Sequence, residues 1–158
     1  MDAETEDEMS QTIVAHAGLR SDGSVVREEL LVKPLGPRRF RLLKSPGLVL
    51  GVAADDIIEV DETGVCKPLE RGRNVCVQVF TFDETPAVQK FLTPLVEAAG
   101  GRLDGCSARQ LVFTFPVSVG FAAIEAPLKK LEAKFSTVEW VYGNVYGDDG
   151  VTPLNWWS

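Results

Sequence analysis

The chain is poor in the residues that carry most enzymatic and metal chemistry: its 158 residues include one histidine and three cysteines. Triad hydrolysis needs a nucleophile, an imidazole base and an orienting acid, and His16 is the sole candidate base. It lies in an alternating segment with no nucleophile elbow, which argues against that chemistry. Cys66, Cys76 and Cys106 form no Cys-x-x-Cys pair, and no cluster of thiolates and imidazoles has zinc spacing, so no metal is expected. Each cysteine sits in or beside an apolar run, where a small buried hydrophobe is the simplest reading. Neither a GxxxxGK[ST] loop nor a GxGxxG turn is present, so nucleotide chemistry has no support and no cofactor is expected. Apolar runs such as residues 48–54 fall well short of the roughly 20 needed to span a bilayer, so no membrane association is expected.

What is present is acid. Against 16 basic residues stand 23 acidic ones, a formal charge of -7, which opposes direct nucleic-acid binding through a basic face. Five of those acids, Asp2, Glu4, Glu6, Asp7 and Glu8, crowd the first ten residues; setting them aside leaves 18 acids against 16 bases, or -2. Residues 1–11 are therefore expected to form a solvated acidic tail. An acidic start differs from the basic leader of a secretory signal, and the odd count of thiols fits a reducing compartment, so a cytoplasmic location is expected. In the body, Asp55, Asp56, Glu59, Asp61 and Glu62 follow one another closely, whereas Arg38, Arg39 and Arg41 concentrate positive charge.

The length allows one large domain or two small ones, and a chain of this size hides about 70% of its extended surface on folding, so it needs no staples. Alternating apolar segments at 12–17, 25–33, 38–43, 57–61, 65–69 and 75–82, with an apolar passage at 48–52, are separated by turn residues. Asp22-Gly23 and Glu62-Thr63-Gly64 read as tight hairpins, and Pro34 is expected to break its strand. Strands this short and regular predict a small barrel-like sheet over residues 12–74.

From residue 75 the pattern changes. Thr85-Pro86 opens a helix whose Val88, Phe91, Leu92, Leu95, Val96 and Ala99 follow helical spacing, although Pro94 predicts a kink or a short first segment. A hairpin over 102–106 and 109–116, a helix over 121–135 with a start obscured by Pro127, and a strand over 138–142 complete a βαββαβ order. That order predicts a ferredoxin-like unit over residues 75–146, making the protein α+β, with strand 75–82 serving both halves. Residues 147–158 form an aromatic tail. Around and within it, Tyr142, Tyr146, Trp156 and Trp157 occur among glycines and the pair Asp148-Asp149; they either fold back over the sheet or anchor a partner.

Between residues 28 and 142 the quoted strings Glu29-Leu30-Leu31-Val32-Lys33-Pro34-Leu35, Arg38-Arg39-Phe40-Arg41-Leu42, Ser45-Pro46-Gly47-Leu48 and Gly51-Val52-Ala53-Ala54-Asp55-Asp56-Ile57-Ile58-Glu59-Val60 resemble a bacterial family of uncharacterised domains whose members often sit beside toxin genes. The family pattern has a Gly-Asp pair where this chain has Asp55-Asp56, and its Arg-x-Gly stretch is only partly matched at residues 70–79. Within that setting the sequence resembles an immunity protein of a type VI secretion DNase effector. The resemblance implies no catalytic centre and one-to-one inhibition of a cognate nuclease toxin in the cytoplasm by a monomer. A negatively charged inhibitor gains steering and complementarity at a nuclease's positive cleft. The expected partner-binding residues are the carboxylate ridge Asp55, Asp56, Glu59, Asp61 and Glu62, together with Tyr146, Asp148, Asp149, Trp156 and Trp157. Two competing readings are a small-ligand sensor with a pocket lined by Phe40, Leu48, Phe80 and Phe113, and an acid-base enzyme using Asp55 or Asp148.

Overall fold

A computed structural model describes residues 9–82 and 84–158. The expected acidic tail lies mostly outside the described residues, and its last residue, Gln11, already opens the first strand. Among the described residues the chain is α+β, with nine strands in two antiparallel sheets and two α-helices. No helix among them is long and apolar enough to cross a membrane.

The first sheet is a meander in which β1 (Gln11–Leu19), β2 (Val25–Gly36), β3 (Arg39–Leu42), β4 (Ile57–Val60) and β5 (Cys66–Glu70) pair in chain order. It curls, because the His16 amide of β1 donates to the Gly64 carbonyl beside β5 at 2.8 Å. Its core holds Ala15, Leu30, Val32, Leu42 and Ile58. Pro34 does not end β2, contrary to the sequence expectation. It sits opposite Phe40 beside a register shift, an irregularity that accommodates a residue with no amide to donate, and the chain turns instead at Arg38.

The second sheet has the order β7-β8-β6-β9, formed by β6 (Asn74–Phe80), β7 (Arg102–Ser107), β8 (Gln110–Pro116) and β9 (Glu139–Tyr142). Helices α1 (Thr85–Ala98) and α2 (Phe121–Lys134) bury Val88, Leu92, Val96, Ile124, Leu128 and Leu131 against Val75, Val77, Val79, Leu111, Phe113 and Phe115. Pro94 lies inside one continuous α1, and Pro127 lies inside α2 rather than marking its start. Burial of the apolar stripe offsets the roughly 3 kcal/mol that an interior proline costs.

Strand β6 does not serve both halves; its partners are β8 and β9. The halves meet through the β3–β4 connection, residues 43–56, laid over the sheet face opposite the helices. Sequence alternation makes that face polar: Asn74, Cys76, Gln78 and Thr114. The Asn74 amide donates to the Ala54 carbonyl and the Gln78 amide to the Pro46 carbonyl, at 2.9 and 3.2 Å. The Thr114 hydroxyl lies 2.6 Å from both Ser45 Oγ and Asp104 Oδ2. From the first sheet, the Glu28 carboxylate accepts the amides of Gly47, Leu48 and Val49 at 2.7, 2.9 and 2.8 Å. The apolar passage 48–52 is thus a pinned loop: a carboxylate takes the Leu48 and Val49 amides, and the Gly51 amide donates to the Gly143 carbonyl at 2.8 Å.

Candidate functional site

The five acids of the expected ridge have different fates. Asp56 is fully buried and cannot belong to a contact surface. Its carboxylate accepts the amides of Ala53 and Gly72 at 3.0 and 2.8 Å and pairs with Arg71 at 3.4 Å. A Cβ at Gly72 would come within 2.5 Å of the Asp55 backbone, so only glycine lets this amide approach. Burial raises the Asp56 pKa, while the two amides and the Arg71 guanidinium oppose that rise. Asp55 is exposed with φ 71°, the left-handed conformation that explains why a glycine suits its position. Its Oδ2 accepts the Asn74 side-chain amide at 3.1 Å.

Of the remaining ridge acids, Asp61 and Glu62 are bonded locally. Glu59 is flanked in register by Arg39 on β3 and Lys67 on β5. Asp61 caps its own turn, accepting from Thr63 and from the Val65 amide, and these bonds hold its pKa below the usual carboxylate value. Glu62, with an 83% exposed side chain, pairs with Arg38 at 3.3 Å.

The aromatic residues converge instead. Tyr142 meets Trp140 and Phe121 edge to face, with centroids 5.1 and 5.7 Å away and planes at 87° in both cases, and lies 6.4 Å from Tyr146. Phe121 continues to Trp157 at 5.2 Å, and Trp157 to Trp156 at 5.4 Å. These six rings form one belt from the edge of the second sheet to the start of α2. Its tail end covers the core: the Trp156 indole donates to the Asn144 carbonyl at 2.8 Å, Arg71 sits over the Trp156 ring, and Arg73 donates to both tryptophan carbonyls. Both tryptophans are half-buried against the helix-side core.

The other end is open. Leu50, Glu125, Trp140, Val141, Tyr142, Gly143, Tyr146, Gly147 and Gly150 line a groove of 480 Å³ along β9. Tyr146 is 40% exposed and Val141 45%. Glu125 is the single charged residue of the lining. It accepts the Tyr142 phenol at 2.6 Å, and burial together with this carboxylate pushes the phenol pKa upward. The Trp140 indole donates to Glu132 at 3.3 Å. The exposed Asp148 and Asp149 lie in the turn after Tyr146, where Asp149 accepts from Thr152 and from the Val151 amide and its pKa is lowered.

Sequence reasoning missed Trp140, Phe121, Glu125 and Glu132. Their signals were Trp140 and Tyr142 two apart on a strand, and Glu125 and Glu132 seven apart on a helix, each spacing placing the pair on one face. Other candidates separate. Phe40 packs in the first core and Phe113 in the second, so the four residues of the expected ligand pocket do not enclose one cavity. Cys66 and Cys76 are free thiols in different cores; burial lifts their pKa values to about 11 and about 12. Among the described residues, no three His, Cys, Asp or Glu side chains are grouped to hold a metal.

Comparison with curated proteins gives no match. A crystal structure of a hypothetical protein from Neisseria gonorrhoeae is similar in fold, with a TM-score of 0.63 at 16% sequence identity over 85% of this chain and 92% of that one. The model of one family matches residues 28–138, beginning at the same Glu28 where the sequence resemblance begins. The two sheets and the β9 groove are therefore set on a chain that belongs to the family defined by the domain of unknown function DUF4265.

Proposed function

We propose that this protein is a non-catalytic binding protein, an immunity protein that neutralises a nuclease toxin of a type VI secretion system by one-to-one contact in the cytoplasm. The observation that carries the reading is the open end of the aromatic belt, where Trp140 and Tyr146 line a groove whose single charged residue is an acid. Tyrosine and tryptophan dominate binding hot spots because they bury large rigid surfaces at little entropic cost. A lining carboxylate favours a cationic partner, and a nuclease is cationic where it holds its substrate. Tyr146, Asp148 and Asp149 remain in the proposed interface, joined by Trp140 and Glu125; Trp156 and Trp157 support it from beneath.

The finer architecture belongs to the same reading. The β7-β8-β6-β9 order with both helices on one face supports a ferredoxin-like second half, and the His16–Gly64 bond supports a barrel-like first half. The decisive experiment is coexpression with a nuclease toxin encoded beside the gene. Survival of the cells, with a one-to-one complex on purification, supports the proposal; undiminished killing despite abundant expression rejects it. A second reading as a small-ligand sensor is favoured by the groove volume, which lies in the range of ligand sites, and would be supported by a small molecule copurifying with the protein.

A further inference from the structure

Strand β9 is an edge of the second sheet, and its backbone alternates in a readable way. The Gly143 amide donates to the Cys76 carbonyl of β6 at 2.8 Å, and Val141 stands opposite Gln78 in the same register. In an antiparallel pair the residues whose main-chain groups face the partner strand alternate with those whose groups face away. Val141 and Gly143 therefore point their amides toward β6, and the main chains of Trp140 and Tyr142 point toward the open edge. Their side chains lie on the helix side of the sheet, opposite Val79 and Val77, within the aromatic groove. An open row of donors and acceptors beside ring-lined space is the arrangement that accepts an added strand.

The charge of the site selects the occupant. The groove lining has a carboxylate and no cation; Glu132 touches the Trp140 indole, and Glu139 is exposed on β9 itself. Lys129 and Lys130 are exposed on the same helix as Glu125, but neither lines this groove. A second copy would bring a chain of net charge -7 against the same acids. Lysine and arginine suit both features, since their heads pair with carboxylates and attract aromatic faces.

We infer that the open edge of β9 accepts an extended basic segment of the partner protein as an added strand, with its cationic side chains over Trp140 and Tyr146 and against Glu125. This rests on the binding-protein reading and names how the partner is held. The contact would pair the main chains of Trp140 and Tyr142 with the incoming strand, while alternate side chains of that strand enter the groove.

The test is hydrogen exchange on the full chain, resolved at single amides, with two capped probe peptides: one alternating lysine with valine, the other glutamate with valine. The lysine peptide is expected to slow exchange of the Trp140 and Tyr142 amides at least about tenfold, leaving the opposite edge strand β7 unchanged. Glu125→Gln and Glu139→Gln should each weaken its binding about threefold, as expected for a partly exposed charge contact. No slowing at saturating lysine peptide overturns the inference, as does equal slowing by the glutamate peptide or protection of β7 instead. Concentration-dependent protection without peptide overturns it in favour of a second copy. Rescue of cells from a toxin whose complex leaves these two amides unprotected keeps the inhibitor reading and rejects strand addition. Protection by the lysine peptide without toxin rescue keeps the docking mode and rejects the toxin as its partner.

Discussion

The β4–β5 region and the β9 groove carry similar side-chain chemistry to opposite ends. Around β4 the acids are dense in sequence, yet the fold spends three of them internally: Asp56 on two amides and Arg71, Asp61 on its own turn and Glu62 on Arg38, while Glu59 only stands in register with Arg39 and Lys67. Around β9 the acids are sparse in sequence, but Glu125 and Glu132 reach from α2 to aromatic rings beside an open edge. Local charge density therefore misleads as a guide to an interface. What counts is whether a carboxylate retains free capacity once its neighbours are in place.

The largest effect is expected from Asp56→Ala. If Asp56 is structural, removing its carboxylate strands Arg71 and two amides and should lower unfolding free energy by about 3 to 5 kcal/mol in urea titrations. An unchanged midpoint would return Asp56 to the surface ridge. Asp56→Asn should be milder, because it keeps an acceptor. The raised Asp56 pKa also fixes a sign: its protonation contributes stability that is fully present below the unfolded carboxylate pKa and is lost as pH rises through the folded value. The Asn variant should lose that component of the pH profile.

Next in size, Tyr146→Ala and Trp140→Ala should each weaken a cognate complex by about 2 kcal/mol or more in calorimetry, the scale of aromatic hot spots. A loss confined to Glu59 and Glu62 variants would reverse the ranking of the two regions. Tyr142→Phe removes the bond to Glu125 while keeping the ring, and should lower stability by about 1 to 2 kcal/mol in the same urea titration. Smallest are changes on the ridge surface. Glu62→Ala breaks only an exposed ion pair, and its effect on both stability and affinity should stay within about 0.5 kcal/mol. Asp55→Gly relieves a left-handed backbone but gives up the bond to Asn74, so stability should stay within about 1 kcal/mol of the parent.

Much of the secondary structure was legible because short-range periodicity encodes it. Val88, Leu92 and Val96 announced one helix, and Leu111, Phe113 and Phe115 one strand, through the same spacings that bury them. Pro34, Pro94 and Pro127 misled, since each carries a local penalty that neighbouring burial or a bulge absorbs. Residues 48–52 could be seen only as an apolar passage, because what ties them down as a loop is Glu28, some twenty residues earlier. Tyr142 and Tyr146 were visible as aromatics, but nothing local said that Phe121 and Glu125 would stand beside them.

By itself the sequence determined the α+β class, the two helices, most strands and the scarcity of catalytic side chains, because these depend on residue type and on spacings of a few residues. Tertiary structure alone decided which acids are consumed and which remain available, that the two halves meet through a polar layer rather than a shared strand, and that β9 is left as an edge. Those outcomes depend on which distant segments come within hydrogen-bond reach, and a carboxylate's character is set by whatever donor arrives there.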